Sequence, residues 1–175
     1  QSLRKLQTDY IDLLLLHQNF GDCYNAYRAI EDAQKAGKVR AIGVSNFYYD
    51  RFIDIADAMD IKPAINQIET HVFSQQKRMQ DVAAKYGTKL TAWGPLAEGR
   101  NGLFTHSVLT EIGKHHDKSA VQVALRYLTQ RDIVVIPKST HKERMIQNLD
   151  TLDFELNDNE MAEIAKLDMG HPIIV

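Results

Sequence analysis

With 175 residues, 44% hydrophobic and 25% charged, the chain is long enough to bury one sizeable core and reads as a single domain over 1–175. Its formal charge of −2 offers no domain-wide basic excess, which argues against nucleic acid as a main partner while leaving room for a local anion site. The single cysteine, Cys23, excludes an internal disulfide and suits a reducing cytoplasm, and no apolar run approaches the length of a membrane span.

Ser2-Leu3-Arg4-Lys5-Leu6 begins abruptly, like the tail of a helix, with neither an initiator methionine nor a secretory signal. The expectation is a chain that starts in the middle of a larger fold. Tyr10 to Leu16 reads as a strand ending in His17 and Gln18. Asp22 caps a helix carrying Tyr27, Ile30, Ala33 and Ala36, with Gly37 at the left-handed C-terminal cap position. Val39 to Val44 is a second strand, ending in Ser45-Asn46. Phe52, Ile55, Ala56 and Met59 then recur as one apolar helix face. Ala64 to Ile68 is a third strand. Ser74 is expected to cap the next helix, whose stripe is Met79, Val82, Ala83 and Tyr86, closed by Gly87. Lys89 to Trp93 forms a fourth strand, broken by Gly94-Pro95-Leu96, and a glycine-containing loop follows. Ser119 and Gln122 form a capping box before Val121, Ala124, Leu125 and Leu128; Asn157 and Glu160 cap the last helix. His115-His116-Asp117 lies in a loop without further ligands at a recognised spacing, so no metal site is assigned.

Ile133-Val134-Val135-Ile136 reads as a fifth strand buried on both faces, which Pro137 ends because it has no amide proton to give a ladder. Thr140 and Glu143 fit a capping box opening a helix. Lys138, Ser139 and Arg144 therefore cluster where a strand hands over to a helix N-terminus. Free amides and the positive dipole end favour an anion there, and a lysine, a hydroxyl and a forked guanidinium make phosphate the natural guest. Solvated surface is the competing reading.

Strands separated by helices imply a parallel sheet with right-handed crossovers. By pattern alone, five strand–helix units fit a doubly wound open sheet. The alternative is part of an eight-stranded barrel, which needs at least about 200 residues to be complete. In both, ligand sites gather at strand C-termini, here His17, Ser45-Asn46, Gln67, Trp93-Gly94 and Lys138-Ser139. Amide-type hydrogen bonds, an aromatic platform, an imidazole and a cationic anchor suit a nicotinamide dinucleotide, although no Gly-x-Gly-x-x-Gly follows the first strand.

The runs Leu3 to His17, Gly37 to Phe47, Asn66-Gln67-Ile68-Glu69, Ala92-Trp93-Gly94-Pro95-Leu96 and Ile136-Pro137-Lys138-Ser139 together resemble the aldo-keto reductases over essentially the whole chain. That resemblance implies a (β/α)8 TIM barrel in place of the open sheet, here an incomplete one lacking the first three βα units. It also implies NADPH-dependent reduction of an aldehyde or ketone to an alcohol, in the cytoplasm. By the same resemblance, His17 is the catalytic histidine that donates a hydrogen bond to the substrate carbonyl. Ser45, Asn46 and Gln67 hold the nicotinamide carboxamide. Trp93 stacks on the ring, while Gly94, where many relatives have serine, and Leu96 lie near the pyrophosphate. Lys138, Ser139 and Arg144 surround the adenosine 2′-phosphate, and Asn148, with Gln147, reaches the adenine.

The family pairs its histidine with an aspartate, a tyrosine and a lysine from the first three βα units, none of which this chain supplies. Tyr24, Tyr27, Tyr48 and Tyr49 match no such motif. The chain alone is therefore not expected to turn over, and an N-terminal segment or a second copy is expected to complete the barrel. The alternatives are a non-catalytic NADP(H)-binding module and a structural half-barrel.

Overall fold

Runs of branched apolar residues punctuated by glycine and proline give an alternating α/β chain, described over residues 2–174 in the computed structural model. The elements are α1 (Ser2–Leu6), β1 (Ile11–Leu16), α2 (Cys23–Lys35), β2 (Val39–Ser45), α3 (Tyr49–Ala58), β3 (Ile65–Glu69), α4 (Lys77–Ala84) and β4 (Lys89–Trp93). Short 3-10 turns over Ala97–Thr105 lead to α5 (Ser107–His115), α6 (Ala120–Gln130), β5 (Val134–Val135), α7 (Lys142–Leu149) and α8 (Asp158–Ala165). The strands follow chain order in the sheet, β1-β2-β3-β4-β5, and the register pairs β1 with β2, β2 with β3 and β4 with β5 in parallel. Residues 1–68 with 78–90 form one compact unit, and residues 69–77 with 91–175 form a second.

In the first unit, Phe52, Ile55, Ala56 and Met59 of the α3 stripe are all buried, as are Met79 and Ala83 of α4, and Phe52 meets Tyr86 edge-on at 5.7 Å. Burying such side chains contributes about 1.5–3 kcal/mol each for the larger ones. Asp22 accepts the Asn25 amide at 3.0 Å and Gly37 closes α2 at φ +71°, so both helix ends follow the local chemistry of the sequence. Apolar periodicity gives no hint of Glu31, whose buried carboxylate accepts the Ile61 amide at 2.7 Å while Tyr27 Oη donates to the Ile61 carbonyl at 3.1 Å. Together they tie the loop before β3 to α2. Gly43 lies where β2 runs closest to its neighbours: a Cβ there would stand 2.7 Å from the Ile65 carbonyl oxygen.

In the second unit, α6 carries the expected capping box, with Ser119 and Gln122 exchanging bonds, and buries Ala124, Leu125 and Leu128. Asn157 and Glu160 do the same for α8.

Four expectations give way. Ser74 does not cap α4, which starts at Lys77; it pairs backbone to backbone with His71 instead, and Gln76 turns left-handed at φ +52° ahead of the helix. The fifth strand is shorter and wetter than a doubly buried one. β5 is two residues long, and although Ile133 is buried, Val134 and Ile136 are each 46% exposed. The reason is position, since β5 is last in the sheet order and only its β4 side is paired among the described residues. His115 and His116 lie not in an open loop but at the end of α5, facing Glu160 at 3.5 and 3.0 Å. Burial pushes the Glu160 carboxyl up, but the bonds from His116 and the Asn157 amide outweigh it and hold it below its usual range. The fourth departure, at the cap of α7, belongs to the site.

Candidate functional site

In the first unit, register brings polar residues to one end of the sheet. Ser45 pairs with Gln67 across β2 and β3, and His17 directly follows Leu16, which pairs with Val44 at the end of β1. Side chains at the same level of parallel strands share a face of the sheet. Ser45 is fully buried; its hydroxyl donates to the Gln67 carbonyl at 2.9 Å, which leaves the oxygen lone pairs to accept. The Asn46 amide donates to that same carbonyl at 2.9 Å, and Asn46 sits at φ +62°, a conformation asparagine tolerates better than most residues. Asn66 secures the corner from behind by donating to the Phe47 carbonyl at 2.6 Å. His17 is exposed beyond β1, and neither its ring nor the Gln67 amide has a side-chain partner among the described residues. The cluster thus offers one imidazole, two amides and a hydroxyl acceptor, the inventory that grips a carboxamide and a carbonyl oxygen.

In the second unit, Trp93 ends β4 half-buried, with its carbonyl accepting the Thr70 amide at 3.3 Å. Gly94 turns the chain at φ +60°, and its carbonyl accepts the Ala97 amide at 2.8 Å. Leu96, after this turn, lines a cleft of about 450 Å³ whose walls also carry Lys138, Ser139, Arg144, Gln147 and Asn148. The residues assigned by sequence to the phosphate and adenine end therefore border one cavity, except Gly94, which is not among its lining residues. Lys138 and Arg144 are exposed and have no carboxylate partner among the described residues, and no Asp or Glu lines the cleft. Two cations without a carboxylate partner in one concavity give it the positive field that attracts anions, which makes it a candidate anion site.

Its helix end differs from the expected capping box. α7 begins at Lys142 with His141 as N-cap and no side-chain cap bond. Ser139 competes for the role Thr140 was given: its hydroxyl accepts the His141 amide at 3.1 Å, a local turn that moves the helix start by one residue. Sequence reasoning gave no ligand role to four further wall residues, Phe104, Val121, Thr140 and His141. Val121 was counted with the core stripe of α6. Phe104, 56% exposed, had a signal in its position, an aromatic at the end of a glycine-rich loop where a base could stack. No group of three or more His, Cys, Asp or Glu residues among the described ones could hold a metal ion, and no described helix is long and apolar enough to cross a membrane.

A parallel α/β sheet with polar strand ends and a cationic cleft at a strand–helix junction defines an α/β protein with a candidate anion-binding cleft. The chain belongs to the aldo/keto reductase family, whose model matches residues 1–169. It is 43% identical over 168 residues to the glyoxal reductase of Bacillus subtilis, covering 95% of this chain and 60% of that protein. It superposes at a TM-score of 0.94 on MGS-M4, an aldo-keto reductase from a Medee basin deep-sea metagenome library, with 40% identity over 99% of this chain and 65% of the other. A Gox0644 variant solved in complex with NADPH is similar at a TM-score of 0.90 and 32% identity, covering 95% of this chain and 62% of the other. The chain spans about three-fifths of the length of the curated relatives it matches.

Proposed function

We propose that residues 1–175 are the cofactor-holding part of an NADPH-dependent reductase that converts aldehydes or ketones to alcohols. The observation that carries this reading is the cleft in which Lys138, Ser139 and Arg144 converge without any carboxylate. Its chemistry fits a phosphate monoester such as the 2′-phosphate that distinguishes NADPH from NADH. Gln147 and Asn148 on α7 serve the adenine, and Leu96 and the Gly94 backbone the pyrophosphate. Trp93 is the platform for the nicotinamide ring. Ser45, Asn46 and Gln67 hold its carboxamide, the serine oxygen accepting from the amide NH₂ and the Gln67 side chain donating to its oxygen.

Bound there, the reduced nicotinamide would supply the hydride. The protein's task is then electrostatic: the substrate oxygen gains negative charge as its carbon is reduced, and a fixed donor from His17 lowers that barrier. The aspartate, tyrosine and lysine that complete the family's tetrad are not supplied by these residues. We propose that βα units preceding Gln1 provide them and pair with the strand edges, both units belonging to one (β/α)8 barrel domain. Exposed apolar side chains on the first and last strands support this, with Leu13 at 40% and Val134 at 46% exposure.

The test is titration of the intact protein with NADPH and NADH, following quenching of Trp93 fluorescence, then NADPH oxidation with glyoxal or a simple aldehyde. Absence of NADPH binding would refute the cofactor assignment. Binding without turnover of any carbonyl would leave a cofactor module in place of an enzyme.

A further inference from the structure

Glu69 is only 2% exposed, yet its carboxylate is committed to chain more than a hundred residues away: Oε1 accepts the amides of Ile173 at 2.5 Å and Ile174 at 3.0 Å, and stands 3.0 Å from His71 Nε2. A buried carboxylate is tolerated when it is hydrogen-bonded this fully, and charge-assisted bonds of this kind are the strong ones. The segment it seizes, residues 168–174, is fastened at further points of the same unit. Asp168 Oδ1 accepts the Gln75 amide at 3.0 Å, the Met169 amide donates to the Phe73 carbonyl at 2.8 Å, and Arg100 Nη1 donates to the Ile173 carbonyl at 2.6 Å.

The end of this strap meets the turn after β4. A Cβ built on Gly94 would lie 2.7 Å from Ile174 Cδ1, so the isoleucine fills the space that residue 94 leaves open. The neighbour of Glu69 acts on the same turn, since the Thr70 amide donates to the Trp93 carbonyl. Residues 69 and 70 therefore brace Trp93-Gly94 twice, once through the backbone and once through the strap.

We propose that Glu69 is a positioning residue for the Trp93-Gly94 turn, acting through Ile174 of the strap that it anchors. The inference rests on the reading of Trp93 and Gly94 as cofactor groups. The parts of the cofactor assigned to them, ring and pyrophosphate, are common to NADPH and NADH. Loss of the brace therefore weakens both cofactors by the same factor.

In the intact protein, Glu69→Gln removes the charge at nearly constant volume and should raise the dissociation constants of NADPH and NADH alike by roughly five- to tenfold. Ile174→Ala, which leaves the buried carboxylate and its partners untouched, should give a similar common loss. Because the two residues act in series, the double variant should be no worse than the more severe single one. Melting temperature and near-ultraviolet circular dichroism accompany each titration. Unchanged affinities in both single variants, additive losses in the double variant, or a loss confined to NADPH would each overturn the proposal. So would a fallen melting temperature with unaltered affinity of the folded fraction, the signature of a purely structural role. If the parent protein binds neither cofactor, the functional reading itself fails and carries this inference with it, a result distinct from any failure seen only in the variants.

Discussion

Arg144→Ala separates the cofactor assignment from a merely basic surface. Arg144 projects from the first turn of α7 into the cleft it shares with Lys138 and Ser139, and it makes no ion pair within the described residues. Removing it therefore breaks no ion pair among the described residues, and its main effect is expected in ligand binding. A guanidinium paired with a phosphate makes charge-assisted hydrogen bonds worth about 1.5–3 kcal/mol, or roughly ten- to a hundredfold in affinity. Because Arg144 is exposed, salt screens it, and the lower end of that range applies near physiological ionic strength. NADH lacks the 2′-phosphate and should lose less than about threefold, which is within the reach of a remote charge. Calorimetric titration of both cofactors into parent and variant, at low and at physiological salt, gives the four constants needed. The selectivity for NADPH should fall by about tenfold and the salt dependence of its binding should flatten. Equal losses for the two cofactors, or an unchanged NADPH constant, would refute the placement of the 2′-phosphate.

Three further outcomes follow from other parts of the molecule. His17→Ala in the intact protein should lower kcat by about 10²- to 10⁴-fold while NADPH affinity stays within about twofold, since the ring acts on the carbonyl and not on the cofactor; retention of kcat in steady-state assays would remove His17 from the chemistry. Gly43→Ala should destabilise folding by about 1–3 kcal/mol, seen as a lower urea midpoint at unchanged slope, because its Cβ would stand within 2.9 Å of both Ile65 Cγ1 and Leu15 Cδ2. Stability should decline in two pH windows on acidification. Burial holds His71 below its ordinary value of 6.5 against the opposing pull of Glu69, so the unfolded chain takes up that proton first and stability falls as pH drops below 6.5. Glu160, held below its ordinary 4.5, adds a second loss as pH falls below that value. A melting temperature that rises between pH 7 and pH 5 would contradict the decline in the first window.

Much of this fold could be read from local chemistry because its signals are short-range. The α3 stripe, the Gly37 and Gly87 terminations and the capping boxes at Ser119 and Asn157 each depend on residues within a turn of one another, and each stands where its pattern puts it. The misjudged features depend on contacts that a linear pattern does not contain. Val134 and Ile136 have the composition of a doubly buried strand, but exposure is decided by what lies beside them in the sheet. Nothing within a turn of Glu31 or Glu69 marks the partners of their carboxylates, which hold amides of Ile61 and of Ile173 and Ile174. Ser74 failed as a cap because His71, three residues earlier, claims its backbone in both directions.

The departure at α7 bears most directly on function. A Thr140 cap would have consumed a first-turn amide of the helix, since a capping side chain works by accepting from N2 or N3. With His141 as N-cap and no side-chain bond to the helix, that turn keeps its donors, and its dipole is not offset by a capping oxygen. Ser139 accepts the His141 amide and donates to the His141 carbonyl at 3.4 Å, and so takes up none of the amides of residues 142–144. The amides of the first turn thus open beside Lys138 and Arg144, in a cleft with no carboxylate on its walls. Helix N-termini left without a protein acceptor are where phosphate oxygens are best accommodated, because the ligand supplies the acceptors that the chain withholds. The cap that the sequence suggested would have competed with the anion that the same sequence suggested. In the structure that competition is absent, because Thr140 does not cap α7.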